Sequence, residues 1–304
     1  MPPYPSNNID FIGDVHAGAG KLKALLKALG YIKNNKIYSH PKGRTAIFLG
    51  DIINVGHDNL EVLSIIKSMC DFGSAKCIIG NHEFFLLTLY FENPDFFQKK
   101  EIPPTYEIYL PFFREIRNEE TFKIIIHWLA SLPLAIKTET YAAVHAFWDE
   151  EQYKKLWAVS GGTMQSGMIA KLYREDKEIR NAAIEFVYGR RTVVPGIKSP
   201  DGSHLKFRYA WWNLRPGDSF KKIIVSSRNY ALPDYPIPIS YLRLLQPTIY
   251  KYPVFFGHYW LKKIPHLTHN KFCCLDFGGS KGGKLTAYRF DENTILDDEY
   301  LIYV

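Results

Sequence analysis

The chain reads as an α/β protein built on a largely parallel sheet. Two observations predict this. Short apolar runs alternate with segments of helical period through residues 8–90, and each run ends at a glycine beside an Asp, His or Asn. The runs are Ile9 to Ile12, Ala46 to Leu49 and Lys76 to Ile79, short and apolar enough for strands buried on both faces. Between the first two, Leu22, Leu25, Leu26 and Leu29 form one apolar stripe over 21–29, and Gly30 stops the helix. The stretch 59–69 repeats the pattern with Leu60, Val62, Leu63, Ile65, Ile66 and Met69. Ligands of such sheets gather at the carboxyl ends of the strands, which is where the polar motifs fall.

Residues 91–135 are less regular, with Pro-rich turns and a helix expected at 119–130. Tyr141 to His145 is another apolar strand, closed by a histidine. From 149 to 247 the character changes: helices expected at 149–158 and 165–187 give way to Pro, Gly, Trp and Arg without clear periodicity. This stretch reads as a lid-like insertion in a single domain spanning 1–304. Strands return at 253–257, 272–277 and 284–290.

A chain of 304 residues accommodates one large domain with a substantial insertion. Its 46% apolar and 23% charged residues are those of an ordinary soluble globular protein. A net charge of +7 favours anionic partners such as phosphates, nucleic acid or acidic surfaces, and reads equally as a mildly basic surface. No block of like charges is long enough to serve as a nucleic-acid tail. Cys70, Cys77, Cys273 and Cys274 form no C-x-x-C pair, so buried thiols in a reducing compartment are expected. The N-terminus lacks the regions of a signal peptide and no apolar run reaches membrane-spanning length. The expectation is a cytoplasmic protein without a membrane partner.

The chemistry lies in the strand-end residues. Asp14 and His16 alternate on one extended segment and so face the same way, ready to share a metal. Asp51, from the neighbouring strand, is placed to bridge that metal and a second. Asn81 offers the second metal a neutral oxygen and His145 a nitrogen, while His258 returns to complete the first. Carboxylate, imidazole and amide oxygen together suit borderline and hard divalent ions. Singly, Asp14 and Asp51 can be read as helix caps, and a lone histidine such as His145 or His258 is more often a satisfied core residue than a ligand. Their ordered co-occurrence favours a site.

The segments Asp14-Val15-His16, Gly50-Asp51, Gly80-Asn81-His82-Glu83, His145 and Gly257-His258 resemble the calcineurin-like metallophosphoesterase superfamily, in particular its serine/threonine protein phosphatase and symmetrical diadenosine-tetraphosphatase branch. The tail Gly282-Gly283-Lys284-Leu285-Thr286-Ala287 is similar to the same branch. The resemblance implies a four-layer α/β/β/α sandwich. It also implies two divalent metal ions, expected to be Mn²⁺, with Fe, Zn or Mg as alternatives, and attack on phosphorus by a metal-bridging hydroxide. His82 matches the family histidine that is not a ligand, and is the candidate proton donor.

Two departures from the family pattern stand at Asn54 and Val55, where an Asp that orients the catalytic histidine and an Arg that clamps phosphate are the rule. Asn54 can accept a hydrogen bond but brings no charge, and Val55 cannot bind phosphate. A basic residue from elsewhere is therefore expected to substitute: Arg190 or Arg191 first, then Arg228 or Arg114. Trp148, three residues after His145, is the aromatic residue expected near the metals. The leading functional reading is a phosphomonoesterase for phosphoprotein or a small phosphorylated metabolite. The alternatives are a dinucleoside-polyphosphate or nucleic-acid phosphodiesterase, and a metal-binding module without turnover.

Overall fold

The structure, a computed structural model, describes residues 4–99, 103–226, 230–246, 251–261, 264–292 and 295–304. The N-terminal part runs β1 (Ile9–Ile12), α1 (Ala19–Leu29), β2 (Ile32–Asn34), β3 (Ile37–Ser39), β4 (Thr45–Phe48), α2 (Asn59–Phe72), β5 (Ala75–Cys77) and α3 (Asn81–Glu92). Then follow α4 (Phe96–Lys99), α5 (Leu110–Glu115), α6 (Glu119–Ser131), β6 (Ala135–Lys137) and β7 (Ala142–Val144). The next stretch holds α7 (Glu150–Val159), α8 (Ser166–Leu172), α9 (Lys177–Tyr188), β8 (Arg191–Lys198), β9 (His204–Arg208), α10 (Phe220–Ile223) and α11 (Ile239–Leu245). The chain closes with β10 (Val254–Phe256), β11 (Phe272–Cys274), β12 (Asp276–Phe277), β13 (Lys284–Phe290) and β14 (Leu301–Tyr303).

Two sheets face each other. One has the order β12-β13-β1-β4-β5, with β14 on the far side of β13; the other has the order β11-β10-β7-β6. Strands β1, β4 and β5 are parallel, as are β7, β10 and β11, so the carboxyl ends within each set share an edge. Period-two alternation explains the unbroken apolar runs. Ile9, Phe11, Ile47, Leu49 and Ile78 point between the sheets toward Ile136, Ala143, Phe255 and Cys273, and the Phe11 and Phe255 rings stack at 3.8 Å. The alternate residues Ile12, Ala46, Phe48 and Ile79 pack in the outer core with the leucines of α1 and the apolar stripe of α2. The result is the expected arrangement of helix, sheet, sheet and helix layers.

Three segments differ from the sequence expectation. The helix expected over 165–187 is two helices, because Asp176 accepts hydrogen bonds from the amides of Glu178 and Ile179 and starts α9 afresh. The stretch after 190, read as aperiodic, contains the β8–β9 hairpin. Its register shifts between Val193 and Lys198, around Pro195 and Gly196, and this hides the alternation. The strand expected over 272–277 breaks at Leu275, where the chain leaves one sheet for the other. That crossing places Asp276 beside the site. Among the described residues no helix is long and apolar enough to cross a membrane.

Candidate active site

The carboxyl ends of both strand sets converge on one cavity of about 540 Å³. Asp51 is its hub. The turn that carries Asp51 is held by the fully buried Glu83, whose carboxylate accepts from the amides of Gly80, Asp51, Ile52 and Ile53 at 2.8–3.1 Å. One Asp51 oxygen accepts from the His82 amide (3.1 Å), while the other lies 3.4 Å from Nε2 of His145 and 3.9 Å from Nε2 of His82. Asn81 Oδ1 stands 3.3 Å from the same His145 nitrogen. His145 Nδ1 donates to the Leu49 carbonyl at 2.7 Å, so Nε2 is the ring nitrogen that faces the site.

Donor atoms of His16, Asp51 and His82 form one group within 4.8 Å of each other, and those of Asp51, His145 and His258 form another. Asp51 belongs to both. The expectation that His258 would join Asp14 and His16 is therefore corrected: its ring stands with His145 (5.1 Å between centroids), and only its backbone amide reaches Asp14 (3.1 and 3.2 Å). The cause is the sheet order, since β10 lies next to β7 and delivers its terminal histidine beside that of β7.

The charge balance of this pocket calls for a cation. Burial and the neighbouring Asp276 hold the Asp14 carboxyl well above the usual carboxylate range. Burial also opposes charge on Asp51, but His145 and His82 outweigh it and hold that carboxyl well below its ordinary value. Burial likewise opposes charge on His145, and Asp51 and Asp14 overcome it, pushing the imidazole up to about 10. Among the described residues no lysine or arginine pairs with Asp14, Asp51 or Asp276. The backbone is shaped around the same carboxylates. A Cβ on Gly80 would lie 2.2 Å from Asp51 Oδ1, and one on Gly257 would lie 1.9 Å from Asp14 Oδ1. Carboxylates, imidazoles and an amide oxygen around one shared aspartate fit a pair of divalent cations.

The orienting contact expected at Asn54 is present but reversed. Its Nδ2 donates to His82 Nδ1 at 3.0 Å, which leaves Nε2 of His82 carrying the ring proton. The Tyr109 hydroxyl fixes the other end of that residue by donating to its carbonyl (2.7 Å).

The phosphate-clamp expectations are corrected by the packing. Arg190 is tied to Glu185 (2.8 Å) and Asp149 (3.5 Å) and lies over the Phe147 ring, away from the cavity. Arg191 lines a second, adjoining cavity, and Arg114 is exposed on α5 outside the lining of either. Trp148 is fully buried against Tyr153 and Phe186. Arg228 lies outside the described residues. The basic groups at the cavity are instead Arg208, at the end of β9, and Lys281, which sits 4.0 Å from the Trp260 ring centroid. Arg208 Nη1 is 2.8 Å from His258 Nε2. Sequence reading missed both, together with Asp276, Tyr109 and Tyr188. Asp276 did carry a signal: it follows the apolar run Phe272 to Leu275, as Asp14 and Asp51 follow theirs, although its glycine, Gly278, comes after it where theirs come before.

The calcineurin-like phosphoesterase profile matches residues 8–258. The chain belongs to the calcineurin-like phosphoesterase family. As such it is a metal-dependent hydrolase of phosphoric esters. Similar relatives of this phosphoesterase include the asymmetrical bis(5'-nucleosyl)-tetraphosphatase of Oceanobacillus iheyensis, 31% identical over 45% of this chain and 55% of that one. The symmetrical bis(5'-nucleosyl)-tetraphosphatase of Buchnera aphidicola is 23% identical over 93% of this chain and 94% of its own length. Among solved structures, the cold-active protein-tyrosine phosphatase of a psychrophilic Shewanella shares the fold. Its TM-score is 0.53 at 18% identity, over 97% of this chain and 76% of that one.

Proposed function

We propose that this phosphoesterase cleaves small, extended phosphorylated molecules, dinucleoside polyphosphates first among them, at a two-cation centre. Asp14, His16 and Asp51 would hold one ion, and Asp51, Asn81, His145 and His258 the other, with Mn²⁺ the first metal to test because the ligands are rich in oxygen. Bound there, such ions supply a water that is nucleophilic at neutral pH and neutralise charge on the phosphoryl oxygens.

The protein's own part is to position, donate and clamp. His82 points Nε2–H into the cavity; with Nδ1 taken up by the Asn54 donor, it serves as a hydrogen-bond donor to the charge developing on the leaving oxygen. Arg208 is the observation that carries the reading, for it brings to the cavity the guanidinium that Val55 cannot supply. Burial holds His258 well below its ordinary value and hence neutral, so Nε2 accepts from Arg208 only while Nδ1 bears the proton. A metal held by His258 would compete for that imidazole, and the guanidinium would then be free to take a phosphate. The segment 149–247, read as a lid, supplies this arginine and Tyr188, while Tyr109 and Trp260 add aromatic wall for a base. The full-length symmetrical relatives support a dinucleotide polyphosphate over a phosphoprotein.

The test compares diadenosine tetraphosphate with p-nitrophenyl phosphate on the Mn²⁺-loaded protein. Preference for the dinucleotide in kcat/KM is expected, and abolition of both activities by EDTA. Arg208→Ala should lower kcat/KM roughly 10- to 150-fold, the worth of a charged hydrogen bond. Failure to cleave diadenosine tetraphosphate while p-nitrophenyl phosphate is turned over would return the reading to a monoesterase.

A further inference from the structure

The second cavity, of about 380 Å³, adjoins the first and shares Tyr188 and Arg208 with it. Its wall is the β8–β9 hairpin. Arg191 and Arg208 are direct cross-strand partners, and Lys206, two residues from Arg208, lies on the same face of β9. Like charges placed opposite each other on a ladder repel. Even so, among the described residues no carboxylate pairs with Arg191, Lys206 or Arg208. The adjacent Arg190 shows the contrast, being neutralised within the fold by Glu185 and Asp149. Both guanidinium groups of the facing pair lie over the Tyr188 ring, at 5.4 Å for Arg191 and 5.8 Å for Arg208, which restrains their orientation before any ligand arrives. Arg191 and Lys206 are themselves exposed. Three cations on one face, pre-positioned and without a counter-ion, leave the counter-ion's place to a ligand.

We propose that this cavity is a distal anion subsite. It takes a second, unreacting phosphate of a substrate whose first phosphate lies at the two-cation centre, with Arg208 at the joint between the two. The proposal rests on the reading above that the first cavity binds the phosphate to be cleaved, and it assigns the hairpin to recognition of a substrate with more than one phosphate. It predicts that anion length is sensed by Arg191 and Lys206, which do not line the first cavity.

The experiment measures binding of inorganic tripolyphosphate and of orthophosphate by calorimetry to the metal-loaded protein, with free Mn²⁺ held constant. The variants are Arg191→Gln/Lys206→Gln and, as a check against misfolding of the double change, Arg191→Gln alone. The double change should weaken tripolyphosphate at least about tenfold and weaken orthophosphate several-fold less, and the single change should move in the same direction. Equal weakening of both anions would reduce the hairpin to a general field, and no weakening of tripolyphosphate would remove the subsite. Because this readout is binding, it separates from the substrate reading. A protein that leaves diadenosine tetraphosphate uncut yet loses tripolyphosphate selectively in the variants overturns the dinucleotide assignment and keeps the subsite.

Discussion

Strand β1 has a buried carboxylate near each end, and the two are treated in opposite ways. Asp10, fully buried, is answered from within the fold: Arg44 Nε lies 3.0 Å and Arg289 Nε 3.2 Å from its Oδ1, and Arg44 also reaches Asp291 (2.7 Å) and the Ile9 carbonyl (2.7 Å). Asp14, just beyond the other end, faces Asp276, Asp51 and histidines, with no arginine or lysine paired to it among the described residues. The same residue type on the same strand is structural where the chain supplies the opposite charge. It becomes a site where the chain withholds that charge. The hairpin cations at Arg191 and Lys206 follow the same logic with the sign reversed.

Three substitutions would break or sharpen that contrast. The largest effect is expected at Asp10→Ala, which takes a charged hydrogen bond from Arg44 and another from Arg289 while leaving Arg44 its contact with Asp291. Unfolding in denaturant should show a loss of about 1.5–3 kcal/mol, with the metal content of the folded fraction unaltered. Asp14→Asn should do the reverse in two respects. Metal content measured on the purified protein falls, yet in chelator the variant unfolds at a higher temperature than its parent. The sign follows from the raised Asp14 value. A carboxyl held above its unfolded value favours the folded state while protonated, and that contribution is lost as pH rises through the raised value. The gain from Asp14→Asn in chelator should therefore grow as the pH is raised above the ordinary carboxylate range. A variant that is destabilised at every pH would show that Asp14 is paired after all.

The smallest effect concerns the backbone. His16, Asp51, Asn54, Val55, His258 and Trp260 all hold φ between 48° and 73°, a left-handed region in which a β-branched residue such as Val55 is strained. Val55→Asn, a residue that tolerates this region, should stabilise by about 1 kcal/mol in thermal melts of the chelated protein. No gain there would mean that the turn is held by something other than strain tolerated for the site.

Much of this was legible in the residue order, for a physical reason. Parallel strands buried on both faces give near-continuous apolar runs, and their ends are marked by the polar groups they deliver. Hence Asp14, His16, Asp51, Asn81, His82, His145 and His258 could be gathered without coordinates. That His258 stands with His145 was not readable, because that depends on β10 lying next to β7, a pairing between stretches far apart in the chain. Arg208 escaped notice since the irregular register around Pro195 and Gly196 obscures the hairpin that aims it. Arg190 was an attractive candidate in the sequence for lack of any sign that Glu185, on the preceding helix, would claim it.

His145 and His258 come from one sheet and Asp14, His16, Asp51 and Asn81 from the other, and His145 ties the two together by donating to the Leu49 carbonyl (2.7 Å). The thickness of the sandwich, set where Phe11 stacks on Phe255, therefore also sets how the histidines of one sheet meet the carboxylates of the other. Shaving that stack would act at a distance, loosening the grip on one ion relative to the other before the protein as a whole came apart.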